Sequence, residues 1–183
     1  MKAGLLSGMV LLCTLSAFAE VPVQSNFDID RFIGKWFGIG LASTSSWFQN
    51  MKDKMKMCTN VIKPMADNSL DVTRTFLTSE GCKQKNNIYK LTNEPGRFHS
   101  TSTRSGALKV VTMVETNYDD YAIVHTVKNK STEPSIVVQL LGRTKVQSPE
   151  VIEKFISFCQ QQGLTPEKIV IMPESEECTV AVV

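Results

Sequence analysis

The chain has 183 residues, of which 42% are hydrophobic and 21% are charged, and its formal net charge is +2. This length suits a single domain with one sizeable core. Charges of one sign do not cluster along the sequence, so neither a nucleic acid nor a polyanionic partner is indicated.

The first nineteen residues have the pattern of a secretory signal peptide. Lys2 gives a positive start, residues 5–15 are mostly apolar, and Ala17-Phe18-Ala19 has the form of a cleavage site. A buried first helix or a membrane anchor is the alternative, but the apolar run is short for a bilayer. We therefore expect residues 1–19 to be removed, and residues 20–183 to form one secreted domain without stable membrane association.

Short alternating runs bounded by Gly, Asn, Asp, Ser and Pro clusters fill most of the mature chain. In residues 70–77, for example, Leu70, Val72 and Phe76 share one face. The runs cover residues 36–42, 56–62, 70–77, 88–91, 98–103, 108–115, 121–127 and 136–141. About eight short strands at this spacing predict an all-β antiparallel sandwich or barrel.

The apolar period changes near residue 148. Ser148 suits an N-cap, Pro149 suits the first helical position, and Gly163 suits a helix end. Between them, Val151, Phe155 and the residues around them form one apolar stripe. We predict a helix lying on the barrel wall, followed by a short strand over residues 168–172. A closed eight-stranded barrel has room inside for one small ligand.

Three motifs then resemble those of the lipocalin family. Gly34 and Trp36 form a Gly-x-Trp, Thr116-Asn117-Tyr118 resembles a Thr-Asp-Tyr turn, and Arg143 lies in a third motif. The resemblance implies an eight-stranded up-and-down barrel with one C-terminal helix, in which the arginine covers the tryptophan at the closed end. Stacking of the guanidinium on the indole gives this pair a physical purpose.

Further stretches resemble one branch of that family, the lipocalin-type prostaglandin D synthases. They are residues 40–47, Met57-Cys58, residues 114–122 and residues 153–155. The likeness runs over nearly the whole mature chain. Among lipocalins, the sequence is most similar to those of the amphibian choroid plexus.

Four cysteines remain after removal of the leader: Cys58, Cys82, Cys159 and Cys178. Their number alone allows three full pairings, or one disulfide and two free thiols. The family resemblance implies a disulfide between Cys82 and Cys178. Cys159 lies on the helix stripe and is interpreted as a small buried hydrophobe, which leaves Cys58 free.

The same resemblance makes Cys58 a candidate catalytic thiol. In the synthases the matching cysteine faces the cavity and isomerises prostaglandin H2 to prostaglandin D2 without a cofactor. The synthase thiol is assisted by hydroxyls on neighbouring strands, whereas the matching positions here are Gly38, Asn60 and Arg74. Cys58 is therefore predicted to line the cavity, and its catalytic competence is an open alternative.

Six positions match cavity-lining positions of the synthases: Trp47, Met57, Val72, Arg74, Phe76 and Leu141. Each also fits ordinary barrel packing. Arg74, together with Lys52 and Lys54 before the second strand, is placed to meet a carboxylate such as that of retinoic acid or a fatty acid.

The sequence therefore predicts a monomeric secreted carrier of a small lipophilic ligand, either a retinoid, a fatty acid, bilirubin or a prostanoid, with prostaglandin isomerisation through Cys58 as the alternative. No metal site, cofactor or nucleic-acid partner is predicted. His99 and His125 are interpreted as strand or turn residues without chemistry. Asn129 begins an Asn-Lys-Ser sequon and is a candidate glycosylation site.

Overall fold

The structure is a computed structural model that describes residues 21–102, 105–129 and 134–178. The predicted signal peptide lies outside these residues. The helices are α1 (Ile29–Phe32), α2 (Ser46–Met51) and α3 (Pro149–Gln161), and single 3₁₀ turns occupy Lys52–Lys54 and Pro166–Lys168. None of the helices in the described part of the chain is long and apolar enough to cross a membrane.

Eight antiparallel strands form a closed up-and-down barrel, as predicted. In chain order they are β1 (Gly34–Ser43), β2 (Cys58–Pro64), β3 (Leu70–Thr78), β4 (Gly81–Leu91), β5 (Arg97–Thr101), β6 (Leu108–Thr116), β7 (Tyr121–Lys128) and β8 (Ser135–Gly142). Each strand pairs with the next, and β1 pairs with both β8 and β2, which closes the ring. A ninth strand, β9 (Ile169–Ile171), follows α3 and pairs with β1.

Two neighbouring strand pairs of the barrel, β1 with β2 and β4 with β5, are hydrogen-bonded over only part of their length. β1 pairs with β2 from Gly34 to Gly38 and with β9 from Gly40 to Ala42. Within the described residues, β4 and β5 share only two partner pairs, Lys90 with His99 and Leu91 with Phe98. The paired parts of β1–β2 and of β4–β5 both lie toward the end of the barrel where β1 begins, so that end is the closed one.

Strand β4 is longer than the sequence pattern indicates. We predicted a strand from residue 88, and the structure begins it at Gly81. Residues 83–87 read Lys-Gln-Lys-Asn-Asn, which shows no apolar alternation. The whole segment nevertheless pairs with β3, because the neighbouring strand supplies its hydrogen-bond partners.

The predicted helix α3 packs on the outside of the barrel. The Ser148 hydroxyl accepts a hydrogen bond from the backbone N–H of Val151, and Gly163 has the positive φ of a helix end, +76°. Phe155 is fully buried against Gly40, where an added Cβ would lie 2.7 Å from its ring. Cys159 is also fully buried, and burial raises the pKa of its thiol to about 12. Both observations confirm the predicted apolar stripe.

His125 lies under the same helix. Its side chain points outward from β7, is 2% exposed, and meets the Phe158 ring edge-on at a centroid distance of 6.2 Å. Nε2 has no hydrogen-bond partner within the described residues. Burial lowers the pKa of the imidazole to about 4, so the ring is neutral in the folded protein at physiological pH.

Arg143 covers Trp36 at the closed end, as the family resemblance implies. Its guanidinium lies 3.7 Å from the centroid of the indole. It also donates hydrogen bonds to the carbonyls of Arg31, Ile33, Lys35 and Tyr118 at 2.9–3.1 Å. One side chain therefore ties the chain before β1 to the turn between β6 and β7.

The turn between β6 and β7 has the predicted motif geometry. The Thr116 hydroxyl accepts from the N–H of Tyr118 and donates to the carbonyl of Tyr121. The Asn117 side-chain oxygen accepts from the N–H groups of Asp120 and Tyr121. An asparagine thus performs the acceptor role for which the motif usually has an aspartate, and Tyr118 takes a left-handed φ of 68°.

Cys82 and Cys178 form a disulfide, with their Cα atoms 5.6 Å apart. The alternation of β4 directs Cys82 to the outer surface, so the bridge holds the chain after β9 against the outer wall. Cys58 and Cys159 are free and buried. This is the pairing implied by the family resemblance.

Candidate ligand-binding cavity

The floor of the barrel interior is apolar. Phe32 of α1 and Tyr118 of the turn between β6 and β7 pack there with ten buried strand residues: Trp36, Ile62, Leu70, Val72, Phe98, Val111, Met113, Ala122, Val124 and Leu141. Val72 and Leu141, which the sequence predicted to line the cavity, belong to this cluster. Phe76 continues the inward row of β3 toward the mouth and is only partly buried.

One side of the mouth is also apolar. Leu41, Phe48 and Met172 form a buried cluster, against which Met55, Met57, Val137 and Val170 pack. Helix α2 places Phe48 in this cluster, because the Ser45 side chain caps the helix at the Phe48 N–H. We refer to Leu41, Phe48, Met172 and Val137 as the apolar wall.

Two predicted lining residues lie away from the cavity centre. Trp47 is 59% exposed on α2, and its neighbour Phe48 takes the inward position instead. Met57 precedes β2 and packs both at the mouth and against the outer cluster beneath α3. The sequence alone did not indicate which of the two adjacent aromatic residues on α2 faces the barrel.

Cys58 faces the interior at the first position of β2. Its side chain is 8% exposed, and Sγ fills the space beside Gly38, where an added Cβ would lie 2.6 Å away. The Asn60 amide donates to Sγ at 3.8 Å, and its oxygen accepts from Arg74 Nε at 3.1 Å. Of the three departures from the synthase pattern, Gly38 and Asn60 therefore lie against the thiol, and Arg74 bonds to Asn60.

Of the three cations predicted to meet a carboxylate, only Arg74 faces the interior. Lys52 donates to the Glu167 carbonyl at 2.5 Å, outside the barrel. Lys54 is exposed in the 3₁₀ turn after α2. The predicted electrostatic role therefore falls to Arg74 alone among these three.

The opposite side of the mouth carries lysines that sequence reasoning did not select. Lys85 is the β4 partner of Arg74, and Lys109 is the β6 partner of Lys128. Lys109 Nζ donates to the Asn87 side-chain oxygen at 3.0 Å, which links β6 to β4 past the intervening β5. We refer to Arg74, Lys85 and Lys109 as the cationic wall.

The members of the cationic wall lie close enough together to repel one another. Burial lowers the pKa of Lys109 to about 8, and repulsion from Lys85, Lys128 and Arg74 adds to the effect. Tyr89, deeper on β4, has its pKa raised by burial, an effect that Arg74 opposes. A signal was available in the sequence, since residues 85, 87 and 89 are spaced to share one face of a strand.

Asn129, the predicted glycosylation site, is exposed just after β7. Its backbone N–H bonds to the Leu108 carbonyl at 3.0 Å. The other two residues of the sequon lie outside the described residues. The two histidines occupy strands, with His99 exposed on β5 and His125 buried as described above.

Comparisons with known proteins agree with this geometry. The model of the lipocalin / cytosolic fatty-acid binding protein family matches residues 33–176. A protein named lipocalin from Rhinella marina is 46% identical over 97% of this chain and 98% of its own. Prostaglandin-H2 D-isomerases from Canis lupus familiaris and Mus musculus are 38% and 37% identical, and each match covers 93% of this chain and 93–94% of the relative.

Among solved structures, the siderocalin Ex-FABP superposes with a TM-score of 0.71, which covers 84% of this chain and 97% of the other at 24% identity. This likeness supports the fold. With the family model spanning most of the sequence and an amphibian lipocalin matching nearly all of it, the chain belongs to the lipocalin family.

Proposed function

We propose that this lipocalin is a secreted carrier that holds a small lipophilic molecule in its barrel, with retinoids as the leading ligands. The observation that carries the proposal is the divided barrel interior, in which an apolar floor and the apolar wall lie on the same inner surface as Arg74. An amphipathic ligand such as retinoic acid satisfies both, because its chain contacts apolar side chains and its carboxylate meets the guanidinium.

Tryptophan fluorescence tests the carrier function, since the two tryptophans differ in position. Trp36 is fully buried at the cavity floor and Trp47 is exposed on α2. A Trp47→Phe variant leaves Trp36 as the reporter. We expect retinoic acid to quench it with saturation at one ligand per chain. If retinoic acid, retinal, bilirubin and fatty acids all leave the emission unchanged, the carrier proposal fails.

Arg74 is tested with a matched pair of ligands. Retinoic acid and retinal share a chain and differ in the charge of the head group. Because a hydrogen bond to a charged group is worth about 1.5–3 kcal/mol, Arg74→Gln should weaken retinoic acid by about 10-fold or more. Retinal binding should change much less. Equal losses for both ligands would show that Arg74 acts by shaping the cavity.

Prostaglandin isomerisation is the second candidate function, and the Asn60 contact favours it. A thiolate attacks one peroxide oxygen of prostaglandin H2, the O–O bond breaks, and the other oxygen takes up a proton. Loss of a proton from the carbon bearing the sulfur-linked oxygen then forms the ketone and releases the thiolate, so no cofactor is consumed. The Asn60 amide, held by Arg74, donates a hydrogen bond to Sγ of Cys58 and so orients the thiol.

Turnover of prostaglandin H2 separates the two functions. We expect Cys58→Ala to reduce product to the uncatalysed level, and Asn60→Ala to lower the rate without removing the thiol. Cys159→Ala is the matched control, because that cysteine is buried under α3. Equal background product from the wild type and Cys58→Ala would eliminate the isomerase and leave the carrier function untouched.

Secretion and glycosylation are part of the proposal. Mass spectrometry of protein secreted by animal cells should show a mature N-terminus at Glu20. A glycosidase that removes N-linked glycans should lower the mass of the wild type and leave Asn129→Gln unchanged. Retention of the leader, or the same mass loss in both proteins, would contradict these two points.

A further inference from the structure

The cationic wall brings together charges that lie far apart in the sequence. Arg74, Lys85 and Lys109 belong to β3, β4 and β6, and strand register directs all three inward. Lys109 reaches across to Asn87, which is two residues from Lys85 and on the same face of β4. Lys128, the β7 partner of Lys109, adds a fourth positive charge nearby.

The barrel strands provide no acidic side chain to balance these charges. Within the eight barrel strands the only acidic residues are Asp71 and Glu115. Asp71 alternates with the buried, inward Leu70 and Val72, and therefore points outward. Glu115 bonds to Lys154 of α3 on the outer wall. Within the described strands, the three members of the cationic wall, Arg74, Lys85 and Lys109, thus have no carboxylate facing them.

A buried hydroxyl beside the cationic wall also lacks a partner. Ser100 is 3% exposed on β5 and is the register partner of Lys109, and its hydroxyl makes no hydrogen bond within the described residues. Buried hydroxyls in proteins are usually satisfied, so an orphan one next to unbalanced cations indicates a place for an external acceptor. Burial lowers the pKa of Lys109 and repulsion from the other cations adds to the effect; an anion at this place would oppose that repulsion.

We propose that the cationic wall binds a head group with two negative charges, a phosphate monoester or a pair of adjacent carboxylates, on a single-chain lipid. The chain of that lipid lies against the apolar wall, across the mouth from the cations. One carboxylate would engage Arg74, which already bonds to Asn60, and would leave Lys85 and Lys109 unbalanced. The inference rests on the proposed carrier function and specifies its ligand class.

Three probes with the same chain test the head group: hexadecyl phosphate, palmitic acid and hexadecanol. At about pH 7.5 the phosphate is mostly dianionic, because its second pKa is about 6. In the Trp47→Phe protein, quenching of Trp36 should give hexadecyl phosphate at least about 10-fold tighter than palmitic acid. Hexadecylsuccinate should resemble the phosphate, and inorganic phosphate should compete only weakly.

Charge-removing variants locate the site. Lys85→Gln with Lys109→Gln should weaken hexadecyl phosphate by about 10-fold or more, palmitic acid by about 3-fold or less, and hexadecanol not at all. Lys90→Gln is the matched control, because Lys90 lies on the same strand and faces outward. Unchanged hexadecanol binding shows that the double variant is folded. The single Lys85→Gln variant repeats the test at an exposed position, where the substitution does not disturb the core.

The outcomes separate this inference from the carrier proposal. Equal affinity for hexadecyl phosphate and palmitic acid, with no effect of the double variant on either, would overturn the dianion site while leaving the carrier intact. Tight binding of inorganic phosphate without the chain would overturn the lipid class. If none of the hexadecyl probes and no retinoid binds, the carrier function itself fails.

Discussion

The buried His125 should make the stability of the fold depend on pH in the mildly acidic range. Its imidazole is enclosed between β7 and α3, and burial lowers its pKa from 6.5 to about 4 in the folded protein. In the unfolded chain the same group binds a proton near pH 6.5. Acid therefore favours unfolding, and the stability present above pH 6.5 is lost as the pH falls toward 4.

The size of the effect follows from the shift in pKa. Each unit corresponds to about 1.36 kcal/mol, so the shift from 6.5 to about 4 amounts to about 3 kcal/mol at the acid end. That is a large share of the stability of a typical domain. His125→Gln removes the titrating group, and the free energy of unfolding of the variant should decline less between about pH 8 and pH 4.

Urea unfolding measured across this pH range is the assay, and the change with pH is compared rather than the absolute stability. This comparison cancels any constant packing cost of the glutamine beside Phe158. His99→Gln is the matched control, because His99 is exposed on β5 and should leave the pH profile unchanged. Parallel profiles for wild type and His125→Gln would refute the reasoning.

Three further predictions concern the closed end, the outer wall and the mouth. Arg143→Ala removes the stack on Trp36 and four hydrogen bonds, so the free energy of unfolding in urea should fall by about 3 kcal/mol or more. Arg143→Lys should recover less than half of that stability. An alanine variant as stable as the wild type would contradict the bridging role of Arg143. Joint replacement of Cys82 and Cys178 by serine opens a loop with a sequence separation of 96, and the free energy of unfolding should fall by about 4–5 kcal/mol in the same assay. Unchanged stability of this variant would show that loop closure does not stabilise the fold. Lys109 has a pKa of about 8 in the folded protein, below its usual 10.5, so the unfolded chain binds more protons between these pH values. The stability of the wild type should therefore rise with pH across this range, and that of Lys109→Met should not. Identical profiles of stability against pH would contradict the burial of this charge.

Sequence pattern predicted the barrel well wherever one face of a strand packs in an apolar core. Leu70 and Val72 on β3 and Phe155 on α3 recur at the period of their element, because each lies against apolar neighbours. The cap of α3 was equally clear, since Ser148 and Pro149 act through local backbone hydrogen bonding. These features depend on neighbours along the chain, which a sequence shows directly.

The mouth was predicted less well because its inward residues are polar. Lys85 and Asn87 gave no apolar alternation, so the first half of β4 was not recognised as strand. The net charge of +2 also concealed the cationic wall, because outward acids balance inward cations in the total. Which charges face each other is a property of strand register, and register across β3, β4 and β6 is set by tertiary pairing.

The choice between Trp47 and Phe48 illustrates a second limit. Both are large aromatic residues on the same short helix, and composition alone favours neither. Ser45 fixes where α2 begins, which rotates Phe48 toward Leu41 and leaves Trp47 toward solvent. A shift of the helix start by one residue would alter this arrangement, so the answer depends on backbone geometry.

The incomplete pairing of β1 with β2 and of β4 with β5 makes the two ends of the barrel differ in rigidity. At the closed end the strands form a continuous hydrogen-bonded ring, which Arg143 braces. Toward the mouth, β1 exchanges β2 for β9, and β4 separates from β5. The upper barrel therefore consists of two groups of strands, β2 to β4 and β5 to β8 with β1 and β9, which are joined by continuous pairing at the closed end and by the Cys82–Cys178 disulfide on the outside. The gap between β4 and β5 can widen by bending of strands without loss of interstrand backbone hydrogen bonds, whereas the disulfide limits any widening between β2 and β9.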